Sequence, residues 1–201
     1  MSIPLEQLIV QIVGGGTPSK SNVDYFRGTK PFMTVKDMRE RFPTDTIDHI
    51  SEEAIDSSAT KVVPADTLII ATRMSLGKIV RPTFDTAINQ DLKALFFANG
   101  IDKTFAEHWW RSRASHIQSL GTGTTVKGIR LEDIHSLQMD LPPSNEQKRI
   151  ADKLDAILAR VDSCRGHLDL SLIHILCNGC SCRHDCRFTQ KGLYRSVWQC
   201  R

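Results

Sequence analysis

Short apolar runs alternate with turn residues over the first 143 positions of this chain, a pattern that predicts strands more than long helices. The runs Ile9–Val13, Pro31–Val35, Thr67–Thr72, Lys78–Arg81, Leu92–Phe97 and Ser136–Leu141 are rich in β-branched and aromatic residues and are bounded by Gly, Pro, Asn or Asp. One longer segment, Lys103–Leu120, carries a partly apolar face through Phe105, Trp109 and Ile117 and predicts a helix. Asp102 stands at its cap position and Gly121 where it would stop. Many short strands with one or two helices predict an α+β domain over 1–143.

The pattern changes at Pro142-Pro143, which can neither continue a ladder nor sit inside a helix. Ser144-Asn-Glu-Gln147 has the form of a capping box, with Ser144 capping and Gln147 reaching back. Beyond it, Ile150, Leu154, Ile157, Val161, Cys164 and Leu168 recur in alternating steps of four and three, the seam of a coiled coil. A helix packed on its own domain would also place apolar residues at i, i+3 and i+4, so pairing and self-packing both stay open. A helix over 144–170 would reach roughly 40 Å at ~1.5 Å per residue, about the separation of two DNA half-sites one helical turn apart.

After residue 170 no periodicity survives, and five of the six cysteines appear. Cys177, Cys180, Cys182 and Cys186 lie within ten residues, too close together for the usual pairs of zinc ligands, and their spacing misses the iron–sulfur pattern by one residue. The stretch 171–201 is expected to be an aberrant, poorly ordered tail produced by a frameshift or a truncation, and no metal or other cofactor is expected.

Charge adds little in total and more in its distribution. The chain carries 26 Lys+Arg and 23 Asp+Glu, but residues 1–143 alone carry 16 against 17, so the excess sits in the tail. No acid occurs from Thr67 to Phe84 or from His108 to Leu131, whereas Asp45 to Thr60 holds five acids and no Lys or Arg. Two basic windows and one acidic one predict a molecule with a positive face. No apolar run approaches the ~20 residues of a membrane span, and the N-terminus lacks a basic leader, which predicts a cytoplasmic protein.

Catalytic motifs do not emerge. Gly14–Lys20 is glycine-rich, but Ser19 stands where a P-loop requires Gly. Leu76–Ile79 and Gly121–Gly128 match no nucleotide fingerprint, and His49, His108, His116 and His135 have no nucleophile at a recognisable spacing. The glycine-rich segments are better suited to turns that approach a phosphate backbone.

Several segments taken in order resemble a known family. Gly14–Lys20 (GGGTPSK), Tyr25–Phe32, Pro31–Met38 (PFMTVKDM), Asp66–Lys78 (DTLIIATRMSLGK), Ala87–Leu95 (AINQDLKAL), Gly123–Ile129 and above all Met139–Leu154 (MDLPPSNEQKRIADKL) are similar to one half of the specificity subunit of type I restriction-modification systems. The resemblance implies a mixed α/β target-recognition domain over 1–143, followed by a coiled-coil-forming spacer and dimerisation helix over 144–170. It also implies a non-catalytic subunit that binds double-stranded DNA and docks methyltransferase subunits, and through them the restriction/translocase subunit.

With one such domain and one helix, the chain is expected to be a half-subunit reading one half-site. The DNA-binding candidates are Lys20, Lys36, Arg73, Lys78, Lys127 and Arg130; the pairing candidates, for a self-dimer, are Ile150, Leu154, Ile157 and Val161. A small Cys-rich metal-binding or coiled-coil adaptor, or an inactive truncated remnant of a specificity subunit, is the alternative.

Overall fold

The computed structural model describes residues 2–179, with side chains through Gly166. The chain divides into two compact units, Met1–Ala156 and Ile157–Arg201. The first is a mixed α/β body in which two four-stranded sheets lie against each other.

In the first sheet, β2 (Ile9–Gly14), β9 (Leu92–Phe97), β6 (Leu68–Ala71) and β7 (Ile79–Val80) pair antiparallel in that spatial order. The second sheet runs β4 (Asp48–Ile50), β3 (Lys30–Met33), β8 (Thr86–Ile88), β5 (Lys61–Val63), with β3 and β8 parallel. A separate pair joins β1 (Ser2–Pro4) to β10 (Gln138–Asp140). All six strand segments expected from the sequence contain a strand. Four further strands, β1, β4, β5 and β8, are only three residues long.

Strand alternation explains the layers, because successive side chains point to opposite faces. Leu68 and Ile70 of β6 and Leu95 of β9 face a helical layer of α1 (Leu5–Leu8), α3 (Lys103–Ser112), α4 (Ala114–Ser119) and α5 (Leu131–Ser136), where they meet Leu5, Phe105, Trp110, Ile117 and Ile134. Ile69, Ala71, Leu92 and Ala94 face the other way, onto Met33, Val63 and Ile88 of the second sheet. The far side of that sheet, with Phe32 and Ala87, is covered by Ala54 of α2 (Glu52–Asp56) and by Tyr25 and Phe26 of a 3-10 turn at Val23–Phe26. With both faces of β6 covered, its four residues are all buried, which accounts for the unbroken apolar run in the sequence.

The single helix expected over Lys103–Leu120 is two helices, α3 and α4, broken at Arg113. The Ser112 hydroxyl donates back to the Trp109 carbonyl (2.7 Å), a bond that bends helices, and the break turns Ile117 fully into the core. Asp102 does cap α3, its carboxylate accepting from Phe105 N–H at 2.8 Å.

The expected capping box at 144–147 does not form. In α6 (Ser144–Gly179), the Pro143 carbonyl accepts the Glu146 and Gln147 N–H groups (both 2.9 Å), and the Ser144 hydroxyl reaches Gly100 O instead. Gln147 is 1% exposed, and once buried its amide must find partners there. Its Oε1 accepts from Asp102 N–H (2.9 Å), and its Nε2 donates to the Pro142 (2.9 Å) and Gly100 (3.3 Å) carbonyls. Ala151 is buried beside it and Ile150 half-buried against the helical-side core, so the first turns of α6 belong to the body.

In the second unit, Ile157, Leu158 and Val161 are exposed. The helix continues nine residues past the expected end at 170, and residues 180–201, with most of the Cys-rich tail, lie outside the described residues. No helix among the described residues is long and apolar enough to cross a membrane.

Candidate nucleic-acid interface

The six candidate cations sit on loops that leave the same end of the two stacked sheets. Strand register defines this end: Gly14 faces Lys93, Ala71 faces Leu92, Ile70 faces Ile79, and Met33 and Lys61 both face Ile88. The link Asn89-Gln90-Asp91, which carries the chain from the second sheet to the first, ties these loops together. The Gly16 N–H donates to Ile88 O (3.2 Å), Asn89 N–H to Met33 O (3.1 Å), and Thr72 N–H and hydroxyl to Asp91 O (2.8 and 3.0 Å). Thr17 hydrogen-bonds Gln90, and the Asn89 amide donates to the Asp91 carboxylate at 3.1 Å.

The loop 121–130 joins the same end. Arg73 bridges Gly128, Ile129 N–H donates to Thr72 O (3.0 Å), and Met74 N–H donates to Lys127 O (3.1 Å). Thr122 and Gly128 exchange two backbone bonds of 2.9 Å, closing the loop into a tight ring. Gly123 in this ring has φ +118°, and a Cβ there would lie 2.4 Å from Val126 O, so only glycine fits.

Each candidate is exposed at this end. Lys20 follows the glycine-rich turn. Lys36 rides a 3-10 turn at Val35–Asp37, held because Asp37 accepts from both Thr34 N–H (2.8 Å) and Ile47 N–H (2.8 Å). Arg73 lies 3.8 Å from the Asp91 carboxylate, which partly offsets its charge. Lys127 and Arg130 flank the Gly128 bridge.

Lys78 lies on an open groove of about 320 Å³ shared with Arg39, Arg41 and Arg111. Among the described residues, Lys20, Lys36, Lys78, Lys127 and Arg130 have no carboxylate within salt-bridge distance. Of the acids of the 45–60 window, Glu52, Glu53 and Asp56 are exposed on α2, whereas Asp45 and Asp48 lead into β4 at this same end, where Asp45 and Lys36 line one pocket.

Sequence patterns did not single out Arg39 or Arg111 as binding residues. Arg111 stands in the second acid-free window, which was the available signal. Arg39 is flanked by Glu40 and shows none. A cluster behind the groove was equally hidden: Arg41 Nε lies 2.8 Å from Glu107 Oε1, which also accepts from Arg111 (3.1 Å), while Arg41 Nη1 bonds Asp155 on α6 and His108 Nε2 lies 2.7 Å from the same Asp155 oxygen. Glu107 is fully buried. Desolvation opposes the charge on Arg41, but its hydrogen bonds to Glu107 and Asp155 outweigh that and hold the guanidinium more firmly protonated than usual.

Residues 8–168 match the model of the type I restriction modification DNA specificity domain. The chain is 34% identical over 149 residues to the specificity subunit of the type I restriction enzyme EcoR124I/EcoR124II of Escherichia coli, an alignment covering 71% of this chain and 37% of that subunit. The chain spans about a third of the length of the curated relatives it matches first.

Its fold is similar to a chain from a structure concerned with complex assembly and conformational transition of the type I R-M system (TM-score 0.70, 21% identity, 87% of this chain and 43% of that one). It is also similar to the HsdS subunit of Thermoanaerobacter tengcongensis (TM-score 0.65, 20% identity, 81% and 38%). Because the family match takes in both the loop-bearing body and the entry into α6, this chain belongs to the type I restriction modification DNA specificity domain family.

Proposed function

We propose that residues 1–143 recognise one half-site of a bipartite DNA sequence, as a non-catalytic part of a type I restriction-modification complex in the cytoplasm. The observation that carries this is the convergence of exposed cations, five of them without carboxylate partners, on loops locked together by backbone hydrogen bonds. Backbone neutralisation supplies affinity for any sequence, and the rigid loop frame presents side chains to base edges. Lys20, Lys36, Arg73, Lys78, Lys127 and Arg130 contact phosphates, and Arg39 and Arg111 extend that surface along the Lys78 groove.

Reversing two of these charges tests the assignment. The Arg73→Glu, Lys78→Glu variant, in complex with its methyltransferase subunits, should bind duplex DNA at least roughly tenfold more weakly. The slope of log affinity against log salt should shrink by about one for each lost phosphate contact. Binding that is unchanged across a salt titration overturns the interface.

Residues 144–170 serve as the spacer and dimerisation helix, and the chain docks methyltransferase subunits and through them the restriction subunit. Leu154, Ile157 and Val161 are 37%, 46% and 42% exposed, an apolar stripe of the kind that marks an interaction surface, whereas Ile150 packs against the body. Asp at both Leu154 and Ile157 should abolish self-pairing in size-exclusion chromatography. A profile identical to the parent's would leave the helix without a pairing role.

A further inference from the structure

The loop between β6 and β7 presents an apolar side chain where a polar one would be expected. Met74 is 70% exposed, and it stands between Arg73 and the turn that leads to Lys78. Its φ is +63°, in the left-handed region that disfavours side chains bearing a Cβ. The Ser75 N–H donates to Arg73 O at 2.7 Å, so Met74 is the central residue of a tight three-residue turn with positive φ, a rare and strained form.

A single exposed methionine needs no explanation, since apolar residues are common on surfaces. Met74 differs in that its backbone strain is not offset by any burial of its own side chain. Glycine or asparagine would occupy the same turn with less strain. The turn is also rigid. Met74 N–H is bonded to Lys127 O, Arg73 is bridged to Gly128, and two residues on, Leu76 is buried in the core while Gly77, at φ +84°, lies against Ala114. Strain that the surrounding structure over-determines is a mark of functional positions.

Resting on the DNA-reading proposal above, we infer that Met74 is a specificity-determining residue that seats its thioether side chain on the 5-methyl group of a thymine in the major groove. The flanking Arg73 and Lys127 bring the loop to the phosphates on either side of the groove, and their long polar side chains stay with the backbone. Met74 projects between them with no donor and only a weakly accepting sulfur. The feature of a base edge that such a side chain distinguishes is the thymine methyl, which no other base carries. Val126, half-exposed beside Lys127, widens the apolar tip.

The test uses the full chain in complex with its methyltransferase subunits. The wild-type site is first selected from random duplex DNA, and each thymine in it is then replaced singly by deoxyuridine, which lacks only the methyl. At one position the replacement should weaken wild-type binding by roughly threefold to tenfold, the scale of one or two buried methyl-sized groups. The Met74→Gly variant should bind thymine and deoxyuridine versions of that position equally, so that the two changes are not additive. Met74→Leu should restore part of the preference.

The glycine variant accepts positive φ without strain, so its folding does not confound the result, and its salt slope should match the wild type because no charge is altered. Selection of the same sequence at the same affinity by Met74→Gly overturns the inference while leaving DNA reading intact. So does an equal loss by both proteins on deoxyuridine. Failure of the wild type itself to select any sequence removes the underlying proposal and this one with it.

Discussion

Replacing Arg41 with alanine should lower the unfolding free energy by about 3 kcal/mol, because it withdraws one of two cations from a carboxylate that has no access to water. Glu107 is completely buried and is held by Arg41 and Arg111. Its second oxygen, also buried, has no partner among the described residues. Losing a partner of a fully buried ion pair costs about 3–5 kcal/mol. Arg111 stays in place and Arg41 is about one-fifth exposed, so the lower part of that scale applies.

Chemical denaturation should show the loss as a lower midpoint with little change in slope. Arg41→Lys should recover only part of it, since an ammonium cannot reach Glu107 and Asp155 together with the geometry of a guanidinium. A loss below about 0.5 kcal/mol, the scale of an ordinary surface change, would show that Arg111 alone satisfies Glu107.

The same cluster gives the stability an acid limb. Partial burial by itself would raise the Asp155 carboxyl. Hydrogen bonds from Arg41 and His108, with their charge, outweigh it and hold the group below the ordinary carboxylate range. A carboxyl with a lowered native pKa stabilises the fold fully above its unfolded value near ~3.9, and that contribution disappears as pH falls through the native value. The difference in stability between the wild type and Asp155→Asn at about pH 5 should therefore shrink as the solution is made more acidic. A difference that grows on acidification would contradict the direction of the shift.

Gly15→Ala should cost a comparable amount, about 3 kcal/mol, and should also weaken DNA binding. A Cβ at this position would lie 1.8 Å from Ile88 O, 2.4 Å from Ile88 C and 2.7 Å from Asn89 O. All three are backbone atoms, so no side-chain rotation relieves the overlap, and the glycine-rich loop must separate from the 88–91 link. Overpacking of this kind costs about 1–3 kcal/mol. Loss of the Gly16 N–H to Ile88 O bond and of the Thr60 hydroxyl bond to Gly16 O adds about 1 kcal/mol for each.

Lys20 is carried on the displaced loop, so affinity for DNA should fall beyond what the unfolded fraction explains. Gly28→Ala is the matched control. Its Cβ would lie 1.9 Å from Ile50 O, an equally severe backbone overlap, at the opposite end of the second sheet. It should destabilise the protein without changing the DNA affinity of the folded fraction. Equal affinities for the two folded variants would detach the glycine-rich loop from the interface.

Much of this molecule is local and therefore readable in one dimension. The strands β2, β3, β6, β7, β9 and β10, the Asp102 cap, the Pro142-Pro143 break and the start of α6 each follow from a few adjacent residues: β-branched runs, a carboxylate at a cap, rings that cannot donate or bend. The ordered family segments were legible for the same reason. The basic windows foretold exposed cations but not their meeting place.

What only the tertiary structure decided involves partners far apart in sequence. Three-residue strands such as Lys61–Val63 and Thr86–Ile88 show no period of their own and exist because sheet neighbours supply their hydrogen bonds. Gln147 fits a capping box locally, yet burial turns it toward Asp102 and Gly100. The cluster of Arg41, Glu107, Arg111 and Asp155 and the bridge of Arg73 to Gly128 join residues dozens of positions apart. Periodicity and propensity record what a residue does with its near neighbours along the chain. A buried charge, a closed loop or a strained methionine is defined by atoms that folding alone brings within a few ångströms.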